Sequence, residues 1–435
     1  MEAAFDHQAR VDVGGVIEDL AIFRDVLRSH HGHIAWEDRP RTVIITAASE
    51  GDLMAIANAV TRAVKAGRAR GRLGSTPIFI CEPPRDAIMG TYVTLKDVLG
   101  GCRPVMTSDA DETTDIMSLI DAVPDKQGFV SRATSTLFHW LRSLHYVRSR
   151  VILRLQFGYM KIYPQPAATN ISWPTFSDYL NNPNSQWTLT PLTDASRVLE
   201  SMNKDPDMFW PTDHEQKDLL LVVFEKNTVE IELDFSGSAD DGTYRLQLAG
   251  GTAWLPDNLD GHGLEVVSSS PSLSMDWSFR GTTRHPDRSI AARQLAWNLQ
   301  KGVAYSKERI VGGRRVPVFT IPRQETKILR TILKRPHRFM YKDSTWCVEV
   351  TETYTWSGSA MTGDFVVQYP ISAFQHDWDD YLGPLDDIND TRPWALDPSM
   401  SRILSGTGDN VEARLGGVVE FTEDLRLFLA NAAEN

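Results

Sequence analysis

The stretch VEIELDF, residues 229–235, sets Val229, Ile231, Leu233 and Phe235 against Glu230, Glu232 and Asp234. Successive strand side chains point to opposite faces, so this alternation describes an antiparallel strand with one buried and one wet face. The pattern recurs where Leu273, Met275, Trp277 and Phe279 alternate with Ser274, Asp276, Ser278 and Arg280. Further strands are predicted at 244–248, 316–321, 345–355 and 364–368. One helix, 287–301, is expected to cover a sheet face with Leu295 and Trp297. A last helix, 418–430, places Val418, Phe421, Leu425 and Phe428 on one side. Residues 216–435 are therefore expected to form a mainly antiparallel, β-rich α+β domain with a C-terminal helix.

Working towards the N-terminus, prolines at 164, 166, 174, 183 and 191 and asparagines at 181, 182 and 184 mark 131–215 as a connector of helix, strand and loop. Within it, 150–158 (RVILRLQFG) has the composition of a strand. In 10–66 the order is strand, helix, strand, helix. Val16, Leu20, Phe23 and Leu27 share a helical face, with Gly32 as the expected C-terminal cap. The segment RTVIITA, 41–47, is the next strand, and Ser49 with Asp52 resembles a capping box ahead of Leu53, Ile56, Val60 and Val64. KAGRARGRLGST, 65–76, is expected to be an exposed connection, its Lys65, Arg68, Arg70 and Arg72 a small basic patch. A second, more degenerate unit is predicted over 75–130, with strands at 78–81 and 105–107 and helices at 93–98 and 113–123.

The chain has 435 residues, a formal net charge of −12, 42% hydrophobic and 23% charged residues, values of a folded protein with more than one domain. The start, MEAAFDHQ, has neither the apolar core of a secretory signal nor the arginines of a transit peptide. Three scattered cysteines, Cys81, Cys102 and Cys347, fit a reducing compartment, so the expected location is cytosol or nucleus, with no membrane partner. Charge is uneven: 301–342 holds twelve Lys or Arg against Glu308 and Glu325, while 364–435 holds fourteen acids against four Lys or Arg.

The element order of 10–66, followed by RVILRLQFG and by WCVEVTETYTW at 346–356, resembles K-homology (KH) proteins, in particular uncharacterised fungal KH-like proteins and, distantly, the Sls1-type mitochondrial translation regulators. That resemblance implies two tandem KH-like units, 1–70 and 75–130, and a role in RNA metabolism. The basic GxxG loop with which RNA-binding KH domains clamp phosphates is missing from 10–66, where Gly14 and Gly15 are adjacent and flanked by Asp12 and Glu18.

No GxSxG, HExxH, GxxxxGK[ST] or GxGxxG motif occurs, no cofactor pattern is found, and the expectation leans away from an enzyme. His30, His31 and His33 beside Glu37 carry ligand-type atoms, but adjacent histidines seldom converge on one ion. The acids Asp377, Asp379, Asp380, Asp386, Asp387 and Asp390 lack EF-hand order. Cys347 sits in an alternating strand with nothing to activate it. There remain Arg309, Arg314, Arg315, Arg323, Lys327, Arg330, Lys334, Arg335 and Arg338, with His337, Phe339 and Tyr341 between them. Arginine forks suit phosphates and aromatic rings suit unpaired bases, so these nine are the candidate contacts to single-stranded RNA. The leading expectation is a non-catalytic RNA-binding or ribonucleoprotein-associated adaptor with protein partners. The alternatives are a protein-interaction scaffold and an enzyme with no linear motif.

Overall fold

A computed structural model describes residues 5–13, 23–37, 41–72, 78–80, 91–98, 101–108, 126–144, 150–163, 170–182, 186–212, 217–236, 245–254, 264–270, 275–284, 287, 289–311, 314–319, 327–342, 344–358, 364–375, 378 and 411–434. The elements are β1 (His7–Asp12), α1 (Arg24–Ser29), β2 (Gly32–Glu37), β3 (Thr42–Ala47), α2 (Glu50–Arg72), β4 (Ile78–Ile80), β5 (Thr91–Val98), β6 (Gly101–Ser108), α3 (Lys126–Leu144), β7 (Arg150–Tyr163), β8 (Asn170–Ile171), α4 (Trp173–Asn181), β9 (Gln186–Thr190), α5 (Ser196–Lys204), β10 (Phe209–Pro211), β11 (Asp218–Phe224), β12 (Thr228–Ser236), β13 (Arg245–Trp254), β14 (Leu264–Ser269), β15 (Asp276–Arg284), α6 (Ile290–Gly302), β16 (Val303–Val311), β17 (Arg314–Phe319), β18 (Ile328–Tyr341), β19 (Trp346–Ser357), β20 (Phe365–Gln368), β21 (Ile371–Gln375) and α7 (Val411–Glu434).

The N-terminal unit is a three-stranded antiparallel sheet in the order β1-β3-β2, covered by α2. Val43, Ile45, Ile56 and Val60 are its buried centre. At the start of α2 the Asp52 backbone N–H donates to Ser49 Oγ at 3.1 Å, the N-cap bond expected from sequence. Gly32 does not close α1 as a cap; it opens β2. A Cβ there would stand 2.2 Å from Ile56 Cδ1, so glycine lets the helix approach the strand, while the turn itself is made by His31 at φ 43°. The expected loop over 65–76 is helical as far as Arg72, because its Ala, Arg and Lys residues favour helix over coil.

The second unit departs from its KH-like expectation. Residues 93–98 belong to β5, not a helix, and β5 forms a hairpin with β6 in which Val93 meets Met106 and Leu95 meets Pro104. Val93, Leu95 and Met106 are buried at alternating positions, a period of two that a six-residue window hides within a helix-compatible composition. The helix expected at 113–123 lies outside the described residues.

Most remaining strands join one sheet of sixteen, whose main path runs β13-β12-β11-β18-β19-β21-β7-β15-β14-β4. The boundaries expected near 130 and 215 do not coincide with a break in it, since β4 pairs with β14 and β6 with β7. β7 is the hinge of this arrangement: its first nine residues pair with β15, and Tyr159–Tyr163 pair with β9. Gly158 stands where the two sets meet, and a Cβ there would lie 2.4 Å from the Thr190 backbone oxygen. Gly158→Ala is expected to push β9 off β7 and cost about 1–3 kcal/mol, the usual range for overpacking, read as a lower urea midpoint at unchanged slope.

One face of the sheet is apolar. Leu153, Leu155, Phe157, Trp277, Phe279, Val348 and Val350 share a core with α3, α5 and α7. Farther along the sheet, Leu220, Val222, Ile231, Leu333 and Trp356 pack with Ala292, Ala296 and Leu299 of α6. Leu295 packs partly against this core, whereas Trp297, expected to cover the sheet, is exposed, because Ala292, Ala296 and Leu299 define the inward face. β18 went unrecognised in the sequence because a basic run containing Pro336 reads against a central strand. Proline is tolerated there at the break between its neighbours: β11 ends its pairing at Lys334 and β10 begins at Phe339. No helix among the described residues is long and apolar enough to cross a membrane.

Candidate functional site

The opposite face of the sheet is polar over six adjacent strands. Registers place Val267, Ser278, Gln156, Ser372, Glu349 and Arg338 in one cross-strand row from β14 to β18. Beside it, Glu265 faces Arg280 and Arg280 faces Arg154, while Cys347 faces Phe374. Arg154 lies 4.0 Å from the Phe374 ring centre and Arg338 lies 6.0 Å from it, which joins the two rows. A solvated antiparallel face would show these side chains to water. Here Ser278 is wholly buried, Thr351 and Thr353 nearly so, and Glu349 and Glu265 are largely withdrawn. The alternation read at 273–280 therefore has no wet side over Asp276 and Ser278. On that side Met160, Ile162, Val267 and α4 residues Trp173 and Phe176 build a further core.

Within the recess, Arg338 Nε donates to Glu349 Oε2 at 2.7 Å, and Thr351 Oγ1 donates to Glu349 Oε1 at 2.9 Å. Glu349 thus holds the Arg338 guanidinium through Oε2 while Thr351 fixes its other oxygen. At the other end, burial raises the Glu265 carboxyl above its usual value against the pull of Arg280 and a contact with Ser278. A carboxyl that holds its proton more tightly than usual, set in a recess among arginines, marks a functional-site candidate. Cys347 borders the same recess, but burial pushes its thiol up to about 11, so it is a strand residue and not a thiolate nucleophile.

A second polar cluster lies on the apolar face, between the two cores. Arg335 Nε meets Asp218 Oδ2 at 3.2 Å with their side chains 1% and 2% exposed, and its Nη1 donates to the Val311 carbonyl of β16. Glu352, opposite Arg335, accepts from the Tyr354 hydroxyl at 2.8 Å and has His337 Nε2 3.3 Å away; the nearby imidazole is the main reason its carboxyl is held below the usual range. Burial and Glu352 push the Tyr354 hydroxyl up. This belt ties β11, β18, β19 and the β16–β17 hairpin together.

The nine basic candidates are therefore not one surface. Lys334 and Arg338 share the polar face, Lys327 and Arg330 are exposed near the start of β18, and Arg335 points the other way into a buried ion pair. Arg309, Arg314 and Arg315 belong to the backbone of β16 and β17, and Arg323 lies outside the described residues. The strand period of two separates neighbours that a linear charge count adds together. Of the histidine cluster, His30 Nδ1 lies 3.0 Å from Asp52 Oδ1, and Glu37 reaches Arg10 and Thr42. No group of three or more His, Cys, Asp or Glu among the described residues converges as a metal site. The acids at 377–390 lie outside the described residues. What sequence reading missed is the opposite strand partners: Arg154, Arg280, Glu265 and Glu349 stand far apart in the chain, and only the pairing of β14, β15, β7, β21 and β19 aligns them.

No family model and no curated protein matches the chain. Nothing in these comparisons ties it to KH-domain or Sls1-type proteins. Among solved structures, the RNA triphosphatase Pct1 of S. pombe in complex with the Spt5 CTD is similar at 11% identity and TM-score 0.36, over 68% of this chain and 91% of that one. The same enzyme by itself gives 10% identity and TM-score 0.36 over the same shares. The expectation of a non-catalytic RNA-binding or ribonucleoprotein-associated adaptor, leaning away from an enzyme, is corrected to this extent: the two solved structures named here are of an enzyme and not of a KH adaptor.

Proposed function

We propose that the chain is an enzyme whose substrate carries phosphate groups and lies along the recessed polar face of the sheet. The supporting observation is the pair of rows that bring Arg154, Arg280 and Arg338 onto one face beside Glu265 and Glu349. Guanidinium forks match phosphate oxygens two at a time. From Arg154 on β7 to Arg338 on β18 there are three strand steps, about 14 Å along the sheet at the usual spacing.

Glu265 is the group suited to proton transfer. In its protonated form it can deliver a proton to the oxygen that leaves phosphorus as water supplies the incoming oxygen; the proton that this water gives up passes to solvent, from which the carboxylate, met meanwhile by Arg280, is reprotonated. Arg154 and Arg338 hold the anionic end, with Glu349 as the residue that positions Arg338.

Titration of the purified chain with pyrophosphate, followed by calorimetry, tests the binding half. Saturable binding that falls at least about tenfold in both Arg154→Ala and Arg338→Ala is expected from the loss of one charge-assisted contact each. No heat with pyrophosphate, or equal binding by both variants, would sink the reading.

Glu265→Gln separates chemistry from stability. The Glu265 carboxyl binds its proton more tightly folded than unfolded, so folding is favoured below the unfolded value of about 4.5 and loses stability as pH rises through the folded value. Glutamine has no charge to bury. The variant is therefore expected to match the parent in urea midpoint at pH 4 and exceed it at pH 8, while phosphate release from the substrate is lost. A variant less stable than the parent at pH 8 would show that the carboxylate is compensated in the fold.

A further inference from the structure

We propose that the outer stripe of α6 docks the protein onto a bilayer surface containing anionic phospholipid. With Ala292, Ala296 and Leu299 turned to the core, the outward stripe of the helix is Ile290, Arg293, Trp297 and Lys301. Ile290 is 77% exposed and Trp297 56%. Large apolar side chains at such exposure lose free energy in water that a neighbouring apolar phase would return.

The charges around them select the occupant. Helix α6 contains no Asp or Glu, and its exposed stripe carries Arg293 and Lys301. In a chain of net charge −12 this is a local cationic face, attracted to an anionic layer. Ile290 and Trp297 protrude singly, with Arg293 and Lys301 between and beside them. That spacing suits entry between lipid headgroups, with the cations at phosphate level. Lys301 Nζ lies 4.4 Å from the Trp297 ring centre, so an ammonium already covers one face of the indole and its edge remains for insertion. Trp and Ile dipping beside Lys and Arg is the composition of a surface-lying anchor, and such contact needs no spanning helix.

Co-sedimentation of the full chain with vesicles of phosphatidylcholine, with and without phosphatidylserine, tests this at low and at physiological salt. Binding is expected only with phosphatidylserine and is expected to weaken with salt. Arg293→Glu with Lys301→Glu should lower partitioning by more than about tenfold, since each basic residue contributes roughly a fivefold factor near such a surface. Ile290→Ser with Trp297→Ser should also release the protein while leaving its thermal midpoint unchanged, because both side chains point outward. Absence of binding to phosphatidylserine vesicles, equal binding to pure phosphatidylcholine, or full binding by either double variant would each overturn the proposal. Pyrophosphate binding by the charge-reversal variant should stay at the parental level, which keeps this surface distinct from the recess.

Discussion

Replacing Arg335 with methionine is expected to lower the unfolding free energy by about 3–5 kcal/mol, read as a large drop in the guanidinium midpoint. The loss comes less from the ion pair itself than from what remains. Asp218 is 2% exposed, and without the guanidinium its carboxylate stays buried where solvation is poor. The Val311 carbonyl loses its Arg335 donor at the same time, so the β16–β17 hairpin should loosen from the sheet. Asp218→Leu combined with Arg335→Met removes both charges and is expected to recover much of the deficit, because a well-packed apolar pair often equals a buried ion pair. If the single and double variants were equally unstable, the deficit would come from packing and not from the stranded charge. The surrounding side chains favour recovery: Leu220, Leu333 and Leu233 line the same side of the neighbouring strands.

Trp277→Ala is the second large effect. Trp277 is fully buried, and Trp-to-Ala changes in cores cost about 3–5 kcal/mol. Its indole Nε1 also donates to Glu423 Oε1 at 2.6 Å, and Glu423 in turn pairs with Arg426 on α7. Trp277→Phe keeps most of the volume and loses that donor, so it isolates the polar part, expected at about 1–3 kcal/mol. The readout that distinguishes a local from a global effect is hydrogen exchange of α7 amides. Faster exchange in α7 alone would show that the indole bond fastens this helix to β15, whereas uniform acceleration would show only a weaker core.

The parts of the fold that were legible in the sequence are those with a clean period. Val229, Ile231 and Leu233 are buried as the alternation required, and Val418 and Leu425 face the core as helical spacing required. The Ser49–Asp52 cap is local chemistry and appears as expected. Legibility failed where burial on both faces erased the polar side of a strand, as at Asp276 and Ser278. Asp276 sits there because its carboxylate accepts from the Met160 and Ser270 backbone N–H groups at 2.7 Å each, a satisfied buried acid that composition reads as exposed. It failed again in β18, where charge masked strand propensity. The recess was illegible for a further reason: Arg154 on β7 and Glu349 on β19 are brought to either side of β21 by pairings that close nearly two hundred residues of chain, and no local window contains both.

The placement of β4 beside β14 has a consequence in time. Ile78–Ile80 pair in parallel with Val267–Ser269, and β7 waits for Ile371–Ala373 of β21. A ribosome that has just released the N-terminal unit has released a piece whose sheet pairings are all short in sequence, and that piece can fold at once. The sheet cannot: β4 and β7 must remain without these partners while the intervening residues are synthesised, their edges open to wrong pairings. Refolding from denaturant should therefore show a fast phase confined to the first 72 residues and a slow one for everything that β7 organises, with chaperone demand concentrated in the interval between them.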